Sequence, residues 1–130
     1  MRTFLFRVLL TGFVVAAALS PSAFAHARLV RSEPAKDAEL SMAPGEIQLW
    51  FNELLEDGFN IVSIYPASEL GEKKHTEFLN GKPQVDPKDR THLILKVKAM
   101  PANEYVVDWR VLSRDGHSAP GRITFRVKAR

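Results

Sequence analysis

The 130-residue chain contains no cysteine. This excludes disulfide bonds, thiolate metal ligands and a cysteine nucleophile. Its Lys and Arg residues are scattered rather than gathered in the basic stripe typical of proteins that bind nucleic acid, so no nucleic-acid partner is expected. No apolar run reaches the roughly 20 residues that a transmembrane helix needs. A domain of this kind must be stabilised by its apolar core.

Residues 1–25 have the three parts of a secretory signal peptide. Two Arg residues near the start supply positive charge, residues 8–19 form a short apolar stretch, and residues 23–25 read Ala-Phe-Ala, a small-x-small cleavage motif. We therefore predict cleavage after Ala25 and a mature chain that begins at His26. Export to the bacterial periplasm fits this signal best, and after cleavage the chain would not span a membrane.

The predicted mature chain, residues 26–130, has the size of one domain. The whole sequence has a formal net charge of +3. The signal carries two of the 18 basic residues and none of the 15 acidic ones, which leaves about +1 for the mature chain. Charge therefore gives little information about the partners of the domain.

The mature chain is predicted to be all-β. Short segments with alternating apolar residues or many β-branched residues are separated by turns rich in Gly, Pro, Asn and Asp. About seven such strands in this length indicate an antiparallel β-sandwich with Greek-key connections. The predicted strands cover residues 27–32, 46–51, 60–65, 92–98, 104–112 and 122–128, with a short edge strand at 74–79 inside the irregular segment 66–91.

His26 is the first candidate metal ligand. After the predicted cleavage its α-amine and its own Nδ1 can close a six-membered chelate ring on a metal. The amine has an ordinary pKa of about 8 and can lose its proton to a strongly binding metal. Paired nitrogen donors in a flat arrangement suit Cu(II). The alternative is a frayed terminus that happens to begin with His.

Asp115 and His117 form the second candidate, in the turn that follows the strand 104–112. If this segment is extended, the two side chains point the same way. The alternative is an ordinary Asp-Gly turn with a solvated His. Because the loops of a sandwich cluster at its two ends, the first strand could bring His26 to the end that carries this turn.

In this order the segments resemble the CopC family of periplasmic copper-binding proteins. The resemblance runs over nearly all of residues 26–130. It is carried by 26–34 (HARLVRSEP), 47–53 (IQLWFNE) and 103–117 (NEYVVDWRVLSRDGH), followed by Gly121 and Phe125.

The resemblance implies a cupredoxin-like or immunoglobulin-like sandwich that holds one Cu(II) per chain in a histidine brace. His26 would supply its α-amine and Nδ1, His117 a nitrogen in the same plane, and Asp115 a weaker axial oxygen. Glu53 matches the acidic residue of the family's Phe-Ser-Glu segment, with Asn52 in place of Ser. Glu53 is a further candidate ligand, or else a charge near the site or on the surface.

The family implies a carrier without catalytic activity, acting in copper resistance, homeostasis or uptake, often with a CopD-type inner-membrane partner. One alternative is a copper-dependent redox enzyme, because a histidine brace also occurs in copper monooxygenases. Another is a structural sandwich without metal.

Some relatives carry a methionine-rich loop for Cu(I), a soft ion that prefers thioethers. The corresponding residues 60–91 contain no Met. Met42 and Met100 are far apart in the sequence, so no Cu(I) site is predicted. His75 is expected to be solvated and His92 to open a strand, and neither is assigned to the site.

Overall fold

The computed structural model describes residues 26–130, so the predicted signal peptide and its cleavage site lie outside the described residues. The described part contains eight strands and one 3-10 turn, Ala67–Glu69. It has no helix of the length and apolarity needed to cross a membrane. The predicted all-β class is confirmed. The strands are β1 (Leu29–Glu33), β2 (Glu39–Leu40), β3 (Glu46–Phe51), β4 (Ile61–Pro66), β5 (Gln84–Asp86), β6 (Asp89–Lys96), β7 (Asn103–Leu112) and β8 (Ser118–Val127).

The strands form two four-stranded sheets. One has the order β1-β3-β6-β5 and the other β2-β8-β7-β4. Neighbours are antiparallel except for the two-residue β2, which pairs in parallel with β8. The chain crosses between the sheets several times, and the result is the predicted Greek-key β-sandwich.

The core lies between the two sheets, where alternate residues of each strand turn inward. Burial of apolar surface contributes about 25 cal/mol per Å², and in a chain without cysteine this is the main source of stability. The alternate apolar residues of the two strands β3 and β7 are buried: Ile47, Leu49 and Phe51 of β3, and Tyr105, Val107, Trp109 and Val111 of β7.

The hairpin of β7 and β8 carries the candidate turn. The two strands pair along their full lengths, from Asn103 with Val127 to Leu112 with Ser118. β8 begins four residues before the predicted start at 122. The turn 113–117 is therefore held at one end of the sandwich by two long paired strands.

The predicted edge strand at 74–79 is wrong, because the short edge strand lies at Gln84–Asp86. Within 74–79 only Leu79 forms a bridge, to Val97. Phe78 makes two backbone bonds, from its N–H to the Ile64 carbonyl at 2.8 Å and from Lys98 N–H to its own carbonyl at 2.9 Å, and a side chain supplies the rest. The Glu77 carboxylate accepts hydrogen bonds from Ser63 Oγ at 2.7 Å and from the backbone N–H groups of Ile64 at 2.8 Å and Leu79 at 2.9 Å.

Candidate metal site

The turn between β7 and β8 is closed by its own backbone. Ser113 N–H donates to the carbonyl of His117 at 3.0 Å, and Gly116 N–H donates to the carbonyl of Ser113 at 2.9 Å. Gly116 has φ 89°, a left-handed conformation that glycine adopts without a steric penalty. The Asp-Gly pair thus forms a tight turn rather than the extended segment considered from the sequence.

Asp115 lies inside this turn and contacts His117 from within it. Its carboxylate accepts hydrogen bonds from the Ser113 hydroxyl and, at 3.2 Å, from the His117 backbone N–H. Its Oδ2 lies 3.3 Å from His117 Nδ1. The Ser113 hydroxyl, with smaller contributions from His117, holds the pKa of Asp115 below its usual value. The carboxylate is therefore charged at neutral pH, and Nε2 of His117 is the ring nitrogen turned away from it.

The segment that follows β3 connects this turn to the start of the described chain. Asn52 N–H donates to the Arg28 carbonyl at 3.0 Å, and Arg28 N–H donates to Asn52 Oδ1 at 2.7 Å. Leu54 follows two residues after Asn52, and its carbonyl accepts a hydrogen bond from Arg114 N–H at 2.9 Å. One short stretch of chain therefore holds both the residues next to His26 and the turn that carries His117.

These connections bring the two predicted histidine ligands together. The His26 and His117 ring centroids are 6.1 Å apart, with their planes at 71°. Both side chains are exposed at the end of the sandwich. In the 130-residue chain the nitrogen of His26 is a peptide nitrogen, bonded to Ala25. Within residues 26–130, no three His, Asp or Glu side chains are grouped closely enough to hold a metal ion.

Glu53 lies in the same connecting stretch, between Asn52 and Leu54, and is half-buried. Within residues 26–130 its carboxylate makes no ion pair, and no hydrogen bond joins it to His117. Two residues that support the site, Ser113 and Asn52, were not predicted from the sequence. The spacing Ser113-x-Asp115 was a usable signal, because a hydroxyl two residues away in a turn commonly bonds to an Asp carboxylate.

The other two histidines have partners of their own. The expectation that His75 is solvated is wrong. Its ring stacks on Tyr65 with centroids 3.7 Å apart, and its Nε2 is buried without a hydrogen-bond partner in the described part. His92 stacks on Trp50 at 4.3 Å, and its Nδ1 lies 3.1 Å from Asp86 Oδ2.

The two methionines considered from the sequence, Met42 and Met100, line one shallow pocket at the end of β8. Met42 is exposed and Met100 is buried. Their separation along the sequence is therefore not matched by a comparable separation in space.

Comparisons with known proteins agree with this fold. Residues 29–128 match the family model of the CopC domain. Copper resistance protein C of Pseudomonas syringae pathovar tomato is 34% identical over 122 residues, which cover 91% of this chain and 93% of that protein. The crystal structure of PcoC, a methionine-rich copper resistance protein from Escherichia coli, superposes with a TM-score of 0.65 at 33% identity, covering 80% of this chain and all of that one.

A longer relative contains the same region as one part. Copper transport protein CutJ of Bacillus subtilis is 32% identical over 112 residues, which are 84% of this chain but only 19% of CutJ. The chain thus spans about a fifth of the length of CutJ. The family match over nearly all described residues, together with these relatives, shows that the chain belongs to the CopC family.

Proposed function

We propose that this protein is a periplasmic copper carrier that binds one Cu(II) in a histidine brace once its signal peptide has been removed. In this proposal His26 supplies its α-amine and Nδ1, and His117 supplies Nε2. It acts in copper resistance, homeostasis or uptake and is not an enzyme. The relatives named for copper resistance support the metal and the process.

The spacing of the two histidine rings is the observation that carries the proposal. A metal bound about 2 Å from one nitrogen of each ring, with the two nitrogens on opposite sides, would separate the ring centroids by about 6 Å. The separation in this chain is 6.1 Å. The α-amine would complete the nitrogen set, and it becomes available only when the bond between Ala25 and His26 is cut.

Asp115 is proposed as the weaker axial oxygen donor. Its contact with His117 Nδ1 also orients the ring, as carboxylates commonly do for histidines whose other nitrogen binds a metal. Axial binding would require the carboxylate to leave that nitrogen, so the two roles exclude each other in a single geometry. Glu53 is proposed as a nearby charge rather than a ligand, because within residues 26–130 its carboxylate forms no ion pair that directs it towards the histidines.

A CopD-type inner-membrane protein is the proposed partner. In CutJ the region matched by this chain is joined to a much longer remainder. A domain that occurs both alone and within a named transport protein fits a carrier that delivers copper to, or receives it from, a larger membrane protein.

The test compares two processed proteins, one that begins at His26 and one that carries a single extra residue before it. Copper titration followed by electron paramagnetic resonance should give tight binding with a nitrogen-rich signal for the first only. The extra residue converts the α-amine into an amide and so removes one donor. Equal affinity and identical spectra would contradict the brace.

Variants of the histidines complete the test. His117→Ala should weaken copper binding by more than the roughly 10- to 100-fold typical for loss of a group that only orients a ligand. His75→Ala is the matched control, because His75 packs on Tyr65, and it should leave copper binding intact. Sustained turnover of a defined substrate with added reductant would favour an enzyme over a carrier.

A further inference from the structure

A groove runs across the outer face of β7 and β8 towards His26. It consists of two open pockets of about 480 and 340 Å³ that share Trp109, Pro120, Gly121 and Arg122. Ile61 and Arg110 line its far part, and Ala27 and Arg28 line the part beside His26. We call it the β8 groove; Trp109 lines both of its pockets but is only 7% exposed, because its indole lies against Gly121 on the core side.

The β8 groove exposes unpaired strand backbone. β2 pairs with β8 only at its end, through Arg126 and Val127. Arg126 N–H donates to Ala38 and Thr124 C=O accepts from Asp37, so these residues of β8 turn their backbone groups to the β2 side. By the two-residue period of a strand, Arg122 turns its N–H and C=O the same way. It lies beyond the end of β2, where the groove is open, and such an edge is a template for a further strand.

The charges around the β8 groove are positive. Arg28, Lys36 and Arg110 line it, and within residues 26–130 none of the three forms an ion pair. The one carboxylate among the lining residues is Asp108, which is paired with Arg122. A partner that fits here carries negative charge and presents an apolar side chain to Ile61 and Pro120, which line the groove and are exposed.

We propose that the β8 groove binds an extended acidic segment of the protein with which this chain exchanges copper. The inference rests on the proposed carrier function. The segment continues the line of β2, pairs with the backbone of Arg122 and places its acidic side chains against Arg28, Lys36 and Arg110. Since Arg28 is two residues from His26, a segment bound here brings the partner to the copper site. Anionic lipid offers no strand backbone to pair with the edge at Arg122, which favours a peptide.

The test uses the processed protein and a short synthetic peptide of alternating Glu and Ser with a central Leu. Nuclear magnetic resonance titration should shift the backbone amide signals of Arg122, Arg28 and their neighbours. Binding should weaken as salt is raised, because exposed charges are screened. Lys36→Glu and Arg110→Glu should each weaken binding about tenfold or more, because like charges then face each other.

The controls separate this inference from the proposed function. Lys96→Glu makes the same charge change at an exposed position of β6 in the other sheet and should leave peptide binding unchanged. All three variants should keep the copper affinity of the parent protein. Failure of every protein to bind copper overturns the carrier function. With copper binding intact, any of three results overturns the inference about the β8 groove. The first is equal affinity for a peptide in which Gln replaces Glu, and the second is a loss of peptide affinity in Lys96→Glu as large as in the groove variants. The third is binding of vesicles that contain phosphatidylglycerol without binding of the peptide.

Discussion

Gly121 is the position at which one methyl group should have the largest effect, because the indole of Trp109 lies directly against it. A Cβ placed on Gly121 would lie 2.3 Å from Trp109 Cε2 and Cζ2 and 2.5 Å from Nε1. The indole is 7% exposed and packs edge-on against Phe51, so it has little room to move. Overpacking of this kind typically costs about 1–3 kcal/mol. We expect Gly121→Ala to lower the free energy of unfolding by about that amount in urea denaturation.

Two comparisons make this prediction specific. Gly45 has nothing within 4 Å of the corresponding Cβ position, and its φ is not in the left-handed region, so Gly45→Ala should be neutral or stabilise by about 0.4–1 kcal/mol. Trp109→Phe removes the atoms that meet the new Cβ. The penalty of Gly121→Ala should therefore shrink by about 1 kcal/mol or more in the Trp109→Phe background. Equal effects at the two glycines, or an undiminished Gly121 penalty in the Trp109→Phe background, would refute the steric explanation.

Variants at three further positions test the site, its support at Asn52 and the ion pair of Asp108 with Arg122. Asn52→Ala removes the acceptor for Arg28 N–H and should weaken copper binding in titration, whereas Asn52→Asp keeps an oxygen there and should bind nearly as the parent does. Asp115→Asn should retain most copper affinity if Asp115 mainly orients His117, since an amide oxygen still accepts a hydrogen bond from Nδ1. Asp115→Ala should then lose about 10- to 100-fold in copper affinity. Equal losses of affinity in the two variants would favour axial ligation. Burial raises the pKa of Asp108, but hydrogen bonds from Arg122 and Tyr65 outweigh it and hold that pKa below its usual value. A carboxyl whose pKa is lowered in the folded state adds stability above its unfolded pKa of about 3.9, and this stability is lost as the pH falls through the folded pKa. The difference in unfolding free energy between the parent and Asp108→Asn should therefore be largest at neutral pH and should shrink as the pH falls below about 4. A difference that does not depend on pH would contradict this.

The strands that face the core could be predicted from the sequence because their alternation is strong. The predicted segment 46–51 coincides with β3, and 104–112 lies within β7. The start of β8 was missed because Pro120 and Gly121 are usually unfavourable inside a strand. Here Pro120 lies on the half of β8 that β2 does not cover. The alternation that turns the backbone groups of Arg122 to the open edge of β8 turns the backbone nitrogen of Pro120 to the same edge. Its missing N–H therefore removes no hydrogen bond to β7.

The irregular segment could not be predicted because its contacts are specific and distant in the sequence. The Glu77 carboxylate ties the segment to Ser63 and Ile64 of β4, which no periodic pattern reveals. His75 was misjudged for the same reason: its neighbours Lys73 and Lys74 suggest solvent, while its ring packs on Tyr65 from another strand. Local composition indicates whether a segment is regular, but it does not identify the long-range partner that buries a polar side chain.

The candidate site depends on contacts of the fold and on the predicted cleavage after Ala25. The fold supplies the positions of His26 and His117 through Asn52, which ties the first residues of the domain to the segment beside the turn. The α-amine comes from no fold contact, since it is created by the predicted cleavage. The uncleaved chain would therefore lack one donor of the brace even when fully folded. Under the proposed function, high-affinity copper binding begins only after export, and removal of the signal peptide both releases the protein and completes its metal site.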